Sequence, residues 1–167
     1  MNIDKEISRL HTKSYAWAVQ NCQFDEEMAK DVLQESYMKV LEKHHSFQAH
    51  ASFKTWLFTI IRNTALDFLR KKGRRLKLIG SIPVDEIYEN WPSSEITNAK
   101  QKMIQRFLRQ LSPKQQEVLS LVFYHEFTIE EAASIMKVSL GSARTHYSRG
   151  KENLKKLIQK SRIQQDA

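Results

Sequence analysis

The clearest apolar period begins at Ala29, after which small or apolar side chains recur at 29, 32, 33, 36, 37, 40 and 41 (Ala, Val, Leu, Ser, Tyr, Val, Leu). That i, i+3, i+4, i+7 recurrence predicts an amphipathic helix with one face turned to a core. Its other face carries Asp31, Gln34, Glu35, Met38 and Glu42. A second stripe, Phe53, Trp56, Leu57, Ile60, Ile61, Thr64 and Phe68, predicts another helix, which Ser52 can cap. It runs into Arg70-Lys71-Lys72-Gly73-Arg74-Arg75, where cations suit the helix dipole and Gly73 is expected to supply a left-handed stop. Upstream, Ile7, Leu10, Ser14, Trp17 and Ala18 predict a helix that completes a three- or four-helix lobe, with Tyr15 and Phe24 as further core members.

The C-terminal third is punctuated more sharply. A helix with Met103, Ile104, Phe107, Leu108 and Leu111 leads into Ser112-Pro113-Lys114-Gln115, which combines an N-cap serine, proline at the first helical position and glutamine at the third. The helix so opened has Val118, Leu119 and Val122 on its inner stripe and is expected to end near Tyr124-His125. Thr128-Ile129-Glu130-Glu131 is a second capping box, opening a short helix with Ile129, Ala132, Ala133 and Met136 inward. Lys137-Val138 turns the chain, and Ser139 caps a third helix whose inner face is Ala143, Tyr147, Gly150, Leu154 and Leu157. A short helix, a tight turn and a longer second helix is the helix-turn-helix plan, in which the second helix enters the DNA major groove. Ser142, Arg144, Thr145, Ser148, Arg149 and Lys151 are left on its outer face. Arginine reads guanine edges bidentately, and serine and threonine meet bases or phosphates.

Composition sharpens this picture. Four glycines and three prolines in 167 residues leave little turn material for a many-stranded β fold, so the expected class is all-α, two small helical domains joined by a linker. Residues 1–75 carry 13 basic and 9 acidic side chains, residues 76–98 carry 1 and 4, and residues 99–167 carry 13 and 6. The whole-chain net charge of +8 is therefore +4 and +7 on two lobes separated by −3, which points to a polyanionic partner such as nucleic acid. The middle stretch holds two prolines and Ser93-Ser94 and is too long for a loop inside one domain. The domains are accordingly expected at 1–75 and 99–167, with a flexible linker at 76–98. The lone Cys22 excludes a disulfide framework, and the longest apolar patch, Trp56 to Ile61, is too short to span a bilayer, so a cytoplasmic protein without membrane insertion is expected.

The loop Ser46-Phe47-Gln48-Ala49-His50-Ala51 sets an aromatic and hydrogen-bonding side chains beside a basic helix. Those are the parts of a single-strand pocket: a stacking plane, groups for a base edge and cations for phosphate. An aromatic in such a loop is more often a core plug under the turn, and that is the competing reading of Phe47.

Together these segments resemble one family, the extracytoplasmic-function (ECF) sigma factors of bacterial RNA polymerase. The resemblance is carried by Ala29-Lys30-Asp31-Val32-Leu33-Gln34-Glu35-Ser36-Tyr37, Ser46-Phe47, Phe53-Lys54-Thr55-Trp56-Leu57-Phe58, Arg62-Asn63-Thr64-Ala65-Leu66-Asp67, Leu111-Ser112-Pro113-Lys114-Gln115-Gln116-Glu117-Val118-Leu119 and Thr128-Ile129-Glu130-Glu131-Ala132-Ala133. It implies a sigma region-2-like bundle followed by a region-4-like helix-turn-helix. It also implies an initiation factor that binds polymerase core and directs it to promoters, with no enzymatic activity and no cofactor or metal. By the same resemblance Asp31, Gln34, Glu35 and Met38 dock on the β′ clamp, and the second lobe meets the β flap. Phe47, Gln48, His50, Lys54, Arg62, Asn63 and Arg70 recognise and melt minus-ten DNA. Ser142, Arg144, Thr145, Ser148, Arg149 and Lys151 read the minus-thirty-five duplex. An anti-sigma factor is implied as a further partner.

Where many members have Gly-Thr-Val and then a basic residue, this chain has Gly141-Ser142-Ala143-Arg144, with His146 where a second arginine is frequent, so promoter sequence does not carry over. Residues 161–167 are expected to be a frayed tail. The alternative is a stand-alone helix-turn-helix regulator, which would not need polymerase core to recognise its site. An enzyme is disfavoured, since the chain lacks a Gly-rich phosphate loop, a His-Glu-x-x-His run and a nucleophile elbow. His44, His45 and His50 have poor spacing for a metal site.

Overall fold

Trp17 is fully buried, and its indole N–H donates to the Phe58 carbonyl at 3.1 Å while the two rings stack at 5.8 Å. Around that anchor the first unit is assembled. In the computed structural model, backbone is described for residues 1–48, 50–79, 103 and 106–165, and side chains for the same residues except 76–79 and 165. The chain divides into two units, Met1–Ser93 and Ser94–Ala167, and every regular element among the described residues is helical.

In the first unit α1 (Ile3–Asn21), α2 (Glu26–Lys43) and α3 (Phe53–Ile79) all pack on one another. Asn2 caps α1 by accepting from the Lys5 N–H, and Asp25 caps α2 by accepting from the Met28 N–H at 3.0 Å. Ser52 opens α3 as expected, accepting from the Thr55 N–H at 3.1 Å. Of the expected core, Leu10, Ser14, Trp17 and Ala18 of α1 and Ala29, Val32, Leu33, Ser36 and Val40 of α2 are buried, whereas Ile7, Tyr15, Phe24 and Tyr37 are only half-buried. Leu41 departs from its expected place, being 46% exposed, because it lies about 120° around the helix from the centre of that buried stripe. On α3 the inward arc is rotated from the expected one: Phe53, Thr55, Leu57, Phe58, Ile61, Arg62, Thr64 and Ala65 are buried, and Trp56, Ile60 and Phe68 are half-buried. Nor does Gly73 stop α3, which continues to Ile79, four residues into the stretch expected to be linker. Glycine in a helix interior costs only about 1 kcal/mol against alanine, too little to break a helix begun twenty residues earlier. The rest of the expected linker, 80–98, lies outside the described residues.

In the second unit a helical turn at 106–108 precedes α4 (Pro113–Leu119), a π-helical turn (Ser120–Tyr124), α5 (Ile129–Met136) and α6 (Leu140–Gln165). Ile104 falls outside the described residues, whereas Phe107 and Leu111 are buried. Ser112 is the N-cap of α4 and Pro113 its first residue, but no side-chain cap bond forms. Instead the Gln116 amide donates back to the carbonyls of Arg109 and Leu111, at 3.2 and 2.9 Å, closing the preceding turn. Val118, Leu119 and Leu121 are buried, with Val122 half-buried, because α6 packs on α4 while α5 packs on the π turn as well. Gly150 allows the close approach of α6: a Cβ there would lie 3.1 Å from Leu119 Cδ1 and 3.3 Å from Gln115 Cβ. The tail expected to fray is helical to Gln165.

Candidate functional site

Three exposed surfaces carry the chemistry. On α2, Asp31, Gln34 and Met38 are exposed, Met38 by 56%, and Glu35 is half-buried. Glu35 Oε1 lies 2.7 Å from the Lys39 ammonium, which also donates to Thr64 Oγ1 of α3 at 3.2 Å. With Leu41 turned outward, this face is acidic but has two large apolar side chains in it, Met38 and Leu41. Such a mixture suits a protein partner better than water alone. The apolar period had assigned Leu41 to the core, so its place on this face was missed.

The second surface lies on α3 and the loop before it. After a 3₁₀ turn at His44–Ser46, Phe47 is half-buried with its ring 4.8 Å from Trp56 and edge-on to Phe53 at 6.2 Å. Gln48 and His50 are exposed and bonded to each other, His50 Nε2 to Gln48 Oε1 at 3.0 Å. At about 100° per residue, Trp56, Asn63, Arg70 and Arg74 fall on one outward stripe of α3. Trp56 and Asn63 are half-buried, and Arg70 is exposed, 3.3 Å from Asp67. Phe47 therefore adjoins the stripe that bears Asn63 and Arg70. Lys54 and Arg62 belong to the other side: Lys54 is half-buried with its ammonium 5.9 Å from the Phe58 ring, and Arg62 is only 7% exposed. The stripe also includes Trp56 and Arg74, which were not picked out as site residues; helical spacing from Asn63 was the signal that could have found them.

The third surface is the helix-turn-helix of α5 and α6. Its capping box is complete, with the Thr128 N–H donating to Glu131 Oε2 at 2.9 Å and the Glu131 N–H donating to Thr128 Oγ1 at 3.1 Å. Lys137 then takes a left-handed conformation (φ 55°), and the N–H groups of Lys137 and Val138 close on the carbonyls of Ser134 and Ala133. Ser139 caps α6 by accepting from the Ser142 N–H at 3.1 Å. Ser142, Arg144, Thr145, Ser148, Arg149 and Lys151 are all exposed, on the half of α6 opposite Ala143 and Gly150. Arg144 reaches Glu130 of α5 at 3.6 Å, both side chains being largely exposed, so water screens the pair and a phosphate or base edge competes with it readily. The Lys151 ammonium sits 4.9 Å over the Tyr147 ring, which stacks on Phe123 at 5.9 Å. Phe123 and Tyr124 are 61% and 57% exposed on the π turn.

Among the described residues no group of histidine, cysteine and acidic side chains could hold a metal, and no helix is long and apolar enough to cross a membrane. The described residues thus form a helix-turn-helix with a basic outer face in one unit and an acidic face beside an aromatic and basic stripe in the other. The Sigma-70 region 2 family model matches residues 8–75, and the Sigma-70 region 4 model matches residues 101–154. The ECF RNA polymerase sigma-E factor of Salmonella typhimurium is 33% identical over 142 residues, covering 77% of this chain and 73% of that protein. RNA polymerase sigma factor YlaC of Bacillus subtilis is 30% identical over 139 residues, covering 81% and 80%. The sigma factor RpoE of Bartonella quintana, solved with the anti-sigma factor NepR, is similar over 95% of this chain and 97% of its own, with a TM-score of 0.79 and 26% identity.

The chain belongs to the ECF RNA polymerase sigma factors. It is an alternative sigma initiation factor, which binds polymerase core and directs it to promoter DNA, and it is not an enzyme. Nothing in these relatives supports the stand-alone regulator.

Proposed function

We propose that the three surfaces divide initiation among them. Asp31, Gln34, Glu35 and Met38, joined by Leu41, dock on the β′ clamp of the core, and the second unit meets the β flap. Phe47, Gln48, His50, Asn63 and Arg70 receive the displaced minus-ten strand. Extruding a base costs a few kcal/mol, which stacking, contacts to its edge and neutralised phosphates must offset. Lys54 and Arg62 act on this surface from behind, holding α3 rather than touching DNA, since neither shares the outward stripe. Ser142, Arg144, Thr145, Ser148, Arg149 and Lys151 read the minus-thirty-five duplex. The working boundaries are 1–79, to the end of α3, and 99–167, with 80–98 joining them, and the protein acts in the cytoplasm, where its polymerase is.

The observation that carries this reading is the outward stripe of α3, where the aromatic pair Phe47 and Trp56 continues into Asn63 and Arg70. With reconstituted holoenzyme on a cognate promoter, Arg144→Ala is expected to weaken closed-complex binding about 5- to 100-fold, as loss of one bidentate base contact does. Asn63→Ala should impair opening, read by permanganate reactivity of unpaired thymines, more than it impairs binding. Normal opening by Asn63→Ala with normal core binding contradicts the pocket assignment.

We further propose an anti-sigma protein that covers the α2 face and the second unit, supported by the NepR complex of the Bartonella relative. Affinity purification from uninduced cells should yield a second partner besides polymerase. Polymerase alone, repeatedly, counts against it.

A further inference from the structure

Lys39 ties the acidic face of α2 to the buried arc of α3. Its ammonium is 2.7 Å from Glu35 Oε1 on the outward face of α2 and donates to Thr64 Oγ1 on α3 at 3.2 Å. Thr64 is 1% exposed, follows Asn63 directly in sequence and is fixed by the packing of α3. An exposed i, i+4 pair between two free side chains would be weak, because each must give up rotamer freedom to meet the other. Here the lysine is already held by a buried hydroxyl of a neighbouring helix, so most of that entropy is lost on folding. The carboxylate of Glu35 is thereby held through Oε1, and since a carboxylate accepts more than one hydrogen bond it can still take a donor from a partner. Pre-organising a contact group in this way raises affinity by removing an ordering cost from the binding step.

We propose that Lys39 is a positioning residue for polymerase docking, holding Glu35 in the orientation in which it meets a cationic or N–H donor group of the core. The proposal rests on the docking role given above to the α2 face. It assigns Lys39 itself no contact with the core and none with DNA.

The test is a double-mutant cycle on the full chain, titrated with purified core polymerase and read by fluorescence anisotropy. Thermal melts verify that each variant is folded. Lys39→Met should weaken core binding about three- to fivefold, within the range a partly exposed ion pair supports. In the Glu35→Gln background the same change should have no further effect, and Lys39→Arg, which keeps a donor within reach of both oxygens, should restore affinity to within about twofold. A general charge or packing role does not produce that pattern. Equal losses from Lys39→Met in both backgrounds, or failure of arginine to rescue, overturn the positioning role. If Glu35→Gln weakens binding and Lys39→Met does not, Lys39 alone is wrongly assigned. If Glu35→Gln itself leaves core affinity unchanged, the docking role of Glu35 fails and the role of Lys39 fails with it.

Discussion

Cys22 follows directly on α1 and is 1% exposed, and burial, aided by the Asp25 carboxylate, pushes its thiol up to about 12. Thiolate, not thiol, is the reactive form, so the native protein at pH 8 should react with a thiol-specific chromogenic reagent only as fast as it opens, and fully in denaturant. The linkage has a definite sign. The folded state keeps a proton that the unfolded chain releases near pH 8.5, so this stabilising contribution is complete below that pH and falls as pH rises toward 12, by about 1.4 kcal/mol per unit. The stability of the protein relative to Cys22→Ala should shrink over that window in urea unfolding; a constant difference from pH 8 to 11 contradicts the burial account. Two other residues mark how far single positions can be read from sequence. Arg62 has the type and place of a phosphate contact, yet the arc of α3 it occupies is buried. Leu41 has the type of a core residue, but α2 has already turned it outward. Residue type predicts what a side chain can do, whereas the neighbours packed on the helix decide where it does it.

Elements were legible where local chemistry specifies them. The Thr128 and Ser139 caps and the turn at Lys137 depend on residues within four positions of each other, and the structure has them as the pattern predicts, whereas of the expected inner face of α6 only Ala143 and Gly150 are buried and Tyr147, Leu154 and Leu157 are half-buried. The boundary at Gly73 was not legible, because glycine permits a left-handed stop without requiring one, and its cost in a helix interior, about 1 kcal/mol, is too small to end the helix. Gln116 was not legible either; its two backward bonds depend on how the preceding turn approaches α4. The two helical glycines give opposite expectations on the same physical grounds. A Cβ at Gly73 meets nothing within 4 Å, so Gly73→Ala should stabilise the protein by about 0.5–1 kcal/mol through helix propensity. At Gly150 a Cβ already crowds Leu119 and Gln115, so Gly150→Val should destabilise by about 1–3 kcal/mol through overpacking of α6 on α4. Urea denaturation of both variants checks this, and stabilisation by Gly150→Val contradicts the packing described.

At the scale of the molecule, the division of charge into two basic lobes about an acidic stretch was readable from composition, but its use was not. A net charge of +8 suits any polyanion; it is membership of the sigma-factor family that makes promoter DNA the polyanion in question. The family supplies the function, and the structure supplies the surfaces through which this chain would exert it. The most direct test is transcription from a library of host genomic fragments by purified core polymerase, with and without the chain, followed by sequencing of transcript 5′ ends. The account predicts a set of start sites that appears only when core and chain are both present and shares two upstream elements near minus ten and minus thirty-five. Start sites that do not change when the chain is added to core, with the core binding it normally, would contradict it.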